Sequence, residues 1–167
     1  MISDDSLYEN LLNKAISFIA YSPRTLSEVN GRMDKFFQKR NINESYAFEL
    51  RSNVIKELNE LKLIDDEQYA LSYVEGRIRS GKPFSRRKIS DFLYKKGVPD
   101  ELLKSALSRY GDEQERKSIE DLIEKKLKTF KNADPRKNRN KLIAYLLNKG
   151  YSPQLVYPAV DTKFNID

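Results

Sequence analysis

An internal repeat of 53 residues is the feature that most constrains how this chain can fold. When the sequence from Lys88 onward is shifted by 53 positions, its apolar residues fall on apolar residues. The same shift places Leu93 on Leu146 and Gly97 on Gly150. Units this small cannot each bury a large core, so neighbouring units are expected to stack and share buried surface. The repeat therefore predicts a tandem array of small structural units.

The repeated units are predicted to be helical. Apolar residues recur three and four positions apart, the spacing of one helical face, and no useful window shows strand alternation. Capping boxes begin at Thr25, Asp65 and Asp112. Glycines in the left-handed conformation are expected at four helix ends: Gly81, Gly97, Gly111 and Gly150. Nine short helices are predicted, over 5–20, 25–39, 44–62, 66–80, 86–96, 99–110, 113–131, 136–149 and 153–162.

The predicted fold class is all-α, with three tandem three-helix repeats in a curved, elongated arrangement. The expected repeats span 5–62, 63–110 and 111–162. A weaker match, which sets Val29 in the place of Ile89, extends the repeat to the first unit. Most aromatic residues follow the apolar stripes and are expected in the core, Phe48 among them, whereas Phe84 and Tyr94 lie among basic residues.

The composition argues against most kinds of catalysis. The chain has no Cys and no His, so thiol chemistry and the commonest general base and metal ligand are missing. The acidic run of Asp65, Asp66 and Glu67 is better explained by helix capping than by a metal site. There is no phosphate-binding glycine loop. We expect no catalytic site, no metal and no cofactor. A carboxylate–metal nuclease acting through Asp65 or Asp66 is a distant alternative.

The sequence also predicts where the protein works. The first five residues are acidic and lack the basic start and apolar run of a signal peptide. No stretch approaches the roughly 18 apolar residues needed to span a bilayer. A cytoplasmic protein without a membrane partner is therefore expected.

Positive charge is concentrated in two segments of a chain whose net charge is +6. From Arg77 to Lys96 there are eight bases against one acid, and from Lys125 to Lys149 there are nine against one. Segregated charge at equivalent positions of two repeats indicates a surface for phosphates or for an acidic protein. The alternative is an ordinary solvated helix face.

One stretch resembles a known family. The segment from Leu61 to Val98 contains Asp65-Asp66-Glu-Gln-Tyr69-Ala70, then a basic run, then Lys96-Gly97-Val98. This order resembles the RecX family, regulators of the bacterial recombinase RecA. The earlier segment from Arg24 to Val29 resembles the family less closely, and residues 113–162 agree through the repeat.

The resemblance implies a fold and a function. RecX-like proteins are built of three three-helix repeats, bind RecA–DNA filaments along the filament groove, and restrain ATP hydrolysis and strand exchange. The expected partners are therefore the RecA filament and single-stranded DNA, contacted through phosphates, with double-stranded DNA left open and a monomeric state expected. The residues expected to contact filament or DNA are Arg77, Arg79, Arg86, Arg87, Lys88, Lys95, Lys96, Lys137, Arg139, Lys141 and Lys149.

Two other classes of function stay open on the sequence alone. A helix-turn-helix transcription regulator would read base edges in the major groove, although Lys-rich faces suit phosphate contact better. A protein adaptor would leave the basic faces solvated.

Overall fold

A computed structural model describes residues 4–130 and 134–164, and within these residues the chain forms nine helices and no strand. The all-helical prediction is confirmed. The helices are α1 (Asp4–Tyr21), α2 (Leu26–Arg40), α3 (Glu44–Glu60), α4 (Asp66–Ser80), α5 (Arg86–Lys95), α6 (Asp100–Leu107), α7 (Asp112–Leu127), α8 (Pro135–Asn148) and α9 (Pro153–Phe164). Two helices end three or four residues earlier than predicted, because the residues after Leu107 and Leu127 form turns. Lys131, which the prediction placed in the seventh helix, lies outside the described residues.

Of the three predicted capping boxes, the one at Thr25 is confirmed in full and the one at Asp65 in part. Thr25 forms the complete box with Glu28, and the Asp65 carboxylate accepts from the backbone N–H of Gln68 at 2.8 Å. The prediction at Asp112 is wrong. Gly111 is the N-cap of α7 and has φ −75°, so it begins a helix in an ordinary conformation instead of ending one in the left-handed region.

The chain divides into two compact units. Unit 1 contains the residues up to Ala70 together with Tyr94–Leu102. Its core is formed where α1, α2 and α3 pack on one another. The buried apolar residues of this core are Leu11, Ala15, Val29, Met33, Phe36, Phe37, Ala47, Leu50, Val54 and Leu58. Burying each large apolar side chain contributes roughly 1.5–3 kcal/mol to the free energy of unfolding. Phe48 does not join them, since its side chain points outward and is 71% exposed.

Unit 2 contains Leu71–Leu93 and the residues from Leu103 onward. Its main core is formed by α7, α8 and α9. The buried residues there are Ile119, Ile123, Leu142, Ile143, Leu146, Tyr151, Val156 and Val160. No helix in the described segments is long and apolar enough to cross a membrane. The repeat boundaries and the overall curvature stay predictions.

Candidate polyanion-binding surface

Several basic residues of unit 2 lie around a contact between the start of α5 and the end of α8. Ser85, which is fully buried, precedes α5 and donates its hydroxyl to the carbonyl of Lys149 at 2.9 Å. The same hydroxyl accepts the backbone N–H of Lys88 at 3.3 Å, as an N-cap does. This arrangement, which we call the second junction, brings the first turn of α5 to the last turn of α8.

The second junction gathers three of the predicted contact residues. Arg87 and Lys88 lie exposed on the first turn of α5, and the Arg87 side chain passes beside Gly150. Arg87 has a long contact with Asp91, at 3.8 Å. Lys149 ends α8 on the other side of the junction. The positive end of the α5 dipole meets the negative end of the α8 dipole here, so the charge of the junction comes from its basic side chains.

A second group of bases surrounds Tyr145 on α8. The ammonium groups of Lys126 and Lys149 lie 5.2 and 5.3 Å from the centre of its ring. Lys141 joins Lys126 and Tyr145 in the lining of an open cleft of about 640 Å³. Two positive charges therefore lie against the same ring.

Other residues predicted to contact the filament or DNA form ion pairs within the protein instead. Arg139 on α8 donates to Asp161 on α9 at 2.7 Å, and this hydrogen bond raises the pKa of the guanidinium. Arg86 bonds Asp112 at 3.3 Å, while its backbone N–H donates to the buried Glu115. Burial raises the pKa of the Glu115 carboxyl, and the Arg86 N–H partly offsets that rise. Bases held by acids in this way offer less charge to a ligand.

Arg77 occupies an aromatic setting in unit 2. Its guanidinium lies 4.6 Å from the ring centre of Tyr73 and 4.5 Å from that of Phe84, and Tyr73 in turn stacks on Phe92 at 4.1 Å. Arg77 also lines a cavity of about 270 Å³ whose charged residues are of both signs: Lys82, Lys117, Glu113 and Asp121. Phe84, which the sequence placed among the bases, is therefore half-buried beneath a cation.

Two predicted residues belong to unit 1. Lys95 ends α5 and is exposed, and Tyr94 beside it is 70% exposed. Lys96 forms a short ion pair with Glu28, with its Nζ atom 2.6 Å from Oε1. Burial by itself would raise the pKa of the Glu28 carboxyl, but hydrogen bonds and charge from Lys96, Thr25 and Arg24 hold it below its usual value. Lys96 is therefore a structural residue.

Some of the predicted contact residues are held in ion pairs within the protein, and others are exposed to a ligand. Lys137 is 78% exposed and has a loose contact with Asp134, at 3.7 Å. In the described residues, no carboxylate lies within ion-pair distance of six predicted contact residues: Arg77, Arg79, Lys88, Lys95, Lys141 and Lys149. Exposed lysines and arginines of this kind suit phosphate contact and electrostatic attraction more than base reading. Among the described residues, no group of acidic side chains could hold a metal ion.

The sequence prediction missed three bases near these surfaces, Lys82, Lys117 and Lys126. The 53-residue shift could have found Lys126, since it places this lysine on Tyr73 and Tyr145 on Phe92. The aromatic pair of the second repeat is thus replaced by a cation–π pair in the third. Nothing in the spacing could have found Lys117, because its place beside Arg77 depends on tertiary packing.

Together, the helices and this surface define a basic, all-helical protein of tandem three-helix domains. Residues 65–107 match the family described as "RecX, second three-helix domain", and residues 112–160 match "RecX, third three-helix domain". These matches cover more than half of the chain, which therefore belongs to the RecX family, a family of regulatory proteins.

Relatives and solved structures agree with this assignment. The chain is 30% identical to Regulatory protein RecX of Oceanobacillus iheyensis over 155 residues, which cover 91% of this chain and 54% of that protein. It is 29% identical to Regulatory protein RecX of Prosthecochloris aestuarii over 94% of this chain and 95% of that one. The crystal structure of RecX from Lactobacillus salivarius superposes with a TM-score of 0.78 at 28% identity, covering 98% of this chain and 99% of that chain.

Proposed function

We propose that this protein binds filaments of RecA on single-stranded DNA and restrains ATP hydrolysis and strand exchange, thereby regulating DNA repair and recombination. The observation that supports it best is the set of exposed bases on α5 and α8 that have no close carboxylate in the described residues. Membership of a regulatory family supports the same proposal. The protein would act as a cytoplasmic monomer without catalysis of its own.

The second junction, together with the adjoining cleft beside Tyr145, is proposed as the main contact surface. Arg87 and Lys88 present charge at the start of α5, while Lys141 and Lys149 present it along α8. The ligand would be DNA phosphate or an acidic face of the recombinase. Lys96, Arg139 and Arg86 would act indirectly, by fixing the helices through ion pairs.

The test is RecA ATP hydrolysis on single-stranded DNA with this protein added at ratios well below one per recombinase. We expect the rate to fall at these ratios, because a filament binder acts on many subunits at once. A variant with Arg87→Gln, Lys88→Gln and Lys141→Gln is expected to require at least tenfold more protein for the same inhibition.

The matched control replaces three exposed bases of the same unit with the same loss of charge, Lys104→Gln, Arg109→Gln and Lys163→Gln. It should inhibit within about twofold of the parent protein, since none of these three residues lines the clefts beside Arg77 or Tyr145. The absence of any effect up to equimolar folded protein would contradict the proposed function. Equal loss in both variants would contradict the assignment to the second junction.

A further inference from the structure

A second basic surface lies in unit 1, outside the two basic segments of the sequence. It is an open groove of about 640 Å³ between α1 and α2, here called the α1–α2 groove. No carboxylate is among the described residues that line it, and four of these residues are cations: Lys14, Arg24, Arg32 and Arg40. A concave surface lined with one sign of charge concentrates its field on a ligand of opposite charge.

Aromatic rings hold the arginines of this groove in place. The Arg24 and Arg32 guanidinium groups lie 4.3 and 5.6 Å from the ring centre of Phe18, and Arg40 lies 3.9 Å from that of Phe36. A guanidinium stacked on a ring uses its flat face, whereas its N–H donors point outward from its edge. The rings therefore order these side chains and leave donors for phosphate oxygens.

The carboxylates of α2 leave three of the four groove cations without an acidic partner in the described residues. Glu28 pairs with Lys96 at 2.6 Å and with Arg24 at 3.5 Å. Asp34 pairs with Arg51 of α3. Within residues 4–130 and 134–164, no described acid lies within ion-pair distance of the other three cations, Lys14, Arg32 and Arg40.

The groove is also suited to an extended ligand. Arg32 and Arg40 are eight residues apart on α2, which places them about 12 Å apart along the helix axis. Tyr21, at the end of α1, is 86% exposed and lines the same groove. Exposed aromatic rings beside a basic track are the elements with which proteins hold single strands, by stacking bases and contacting phosphates.

We propose that the α1–α2 groove binds single-stranded nucleic acid, with Lys14, Arg32 and Arg40 on the phosphates and Tyr21 against a base. An acidic protein segment would match the charge. It would find little uncovered apolar surface, however, because guanidinium groups cover the rings of Phe18 and Phe36. The proposal uses residues separate from the second junction and does not depend on a recombinase.

The test is fluorescence anisotropy of a labelled oligo(dT) with the full chain, repeated over a range of salt concentrations. The groove variant combines Lys14→Gln, Arg32→Gln and Arg40→Gln. Three lost phosphate contacts should reduce the slope of log K against log salt by about 2, which is roughly a 100-fold loss of affinity at 0.1 M salt. Tyr21→Ala, at an exposed position, should weaken binding by about tenfold, and Tyr21→Phe should not.

The matched control is Lys35→Gln, Lys39→Gln and Lys56→Gln, three exposed bases of the same unit that do not line the groove. It should keep the parent slope, and circular dichroism should show that all variants are helical. If the groove variant does not fold, Tyr21→Ala against Tyr21→Phe decides the proposal. An unchanged slope in the groove variant, or no oligo(dT) binding by the parent at low salt, would overturn it. Loss of filament binding with intact oligo(dT) binding would instead assign the groove to protein.

Discussion

The chain forms one kind of helix contact twice, once in each unit. In unit 1, the buried Thr25 hydroxyl donates to the Lys96 carbonyl at 2.5 Å, and we call this contact the first junction. In the second junction, Ser85 donates to Lys149 at 2.9 Å. In both, the next backbone N–H donates to an acid on another helix, to Asp66 in one case and to Glu115 in the other. The two junctions therefore contain equivalent hydrogen bonds between side chains and backbone groups.

The charges of the two junctions differ. Glu28 pairs with Lys96 in the first junction. The equivalent position in the second is Lys88, three residues after the capping hydroxyl in the same way, and the equivalent of Lys96 is Lys149. The first junction thus neutralises its lysine internally, whereas the second presents two lysines. The two junctions thus share their hydrogen bonds between side chains and backbone groups and differ in the charges around them.

The largest expected difference between the junctions concerns the glycine that follows each lysine. A Cβ at Gly97 would lie 2.3 Å from the Ser27 Cβ, whereas one at Gly150 would lie 3.0 Å from the Ser85 hydroxyl oxygen. Both glycines have positive φ, +74° and +90°. We expect Gly97→Ala to lower the free energy of unfolding by about 3 kcal/mol, and Gly150→Ala by about 2 kcal/mol. Urea unfolding followed by circular dichroism measures both.

Two further variants separate overlap from backbone strain. Adding Ser27→Gly to Gly97→Ala removes the overlapping atoms and should restore part of the lost stability. Gly31→Ala, inside α2 with no atom within 4 Å, should raise stability by up to about 1 kcal/mol. Equal costs at Gly97 and Gly150, without any rescue, would contradict the closer packing of the first junction.

The capping hydroxyls are expected to be interchangeable. Thr25→Val and Ser85→Ala each remove an N-cap and leave a carbonyl without its donor, so each should cost about 2 kcal/mol. Thr25→Ser and Ser85→Thr keep the hydroxyl and should cost no more than about 0.5 kcal/mol. Thermal unfolding compares the four variants. A swap as costly as hydroxyl removal would show that the junctions differ in packing as well as in charge.

Two acids of the junctions, Glu28 in the first and Glu115 in the second, should respond to pH in opposite directions. The pKa of Glu28 lies below its usual value of 4.5. The ionised Glu28 carboxylate therefore contributes fully to the free energy of unfolding above pH 4.5, and this contribution is lost as the pH falls below 4.5. Burial raises the pKa of Glu115, so its ionisation subtracts from stability as the pH rises above 4.5. Glu28→Gln should therefore be less stable than the parent by about 1 kcal/mol at pH 7, with little difference at pH 3.5.

Glu115→Gln keeps an oxygen that can accept from the Arg86 N–H. It should be at least as stable as the parent at pH 7 and lose that advantage toward pH 3.5. Melting temperatures of the two variants and the parent across this range provide the measurement. Parallel pH profiles for the two variants would contradict the opposite environments of these two acids.

Local patterns predicted much of this fold. Apolar spacing and capping residues placed all nine helices of the described residues within a few positions, because helix faces and caps depend on neighbours three and four positions apart. The 53-residue shift also predicted the equivalence of Gly97 and Gly150. The Asp112 box was wrong because Glu115 turns inward to meet Arg86 of α5, a contact between residues 29 positions apart.

The basic surface was less predictable for the same reason. A count of charges cannot tell Lys88, which has no close acid in the described residues, from Lys96, whose partner Glu28 is 68 positions away. Nor could it find the α1–α2 groove, since the first unit as a whole has no excess of bases. Arg32 and Arg40 become significant where α1 brings Phe18 beside α2 and the acids of α2 bond elsewhere.

The smallest expected effect on stability comes from converting the second junction into a copy of the first. Lys88→Glu places an acid where Glu28 stands, opposite Lys149 in the equivalent position of Lys96. A partly exposed ion pair of this kind should raise the free energy of unfolding by no more than about 1 kcal/mol. Lys88→Gln, which cannot form the pair, should leave stability within about 0.5 kcal/mol of the parent.

The same substitution should have a larger effect on binding than on stability. Lys88→Glu removes one cation from the second junction and neutralises another, so its inhibition of RecA ATP hydrolysis should weaken more than that of Lys88→Gln. Lys149 keeps its free charge in Lys88→Gln but not in Lys88→Glu. The difference in inhibition between the two variants therefore measures how much Lys149 contributes to binding. If both variants inhibit as the parent does, the charges of the second junction have no part in binding. If Lys88→Glu also unfolds more easily than Lys88→Gln, the two junctions are equivalent in their hydrogen bonds to backbone groups but not in the placement of their charged side chains.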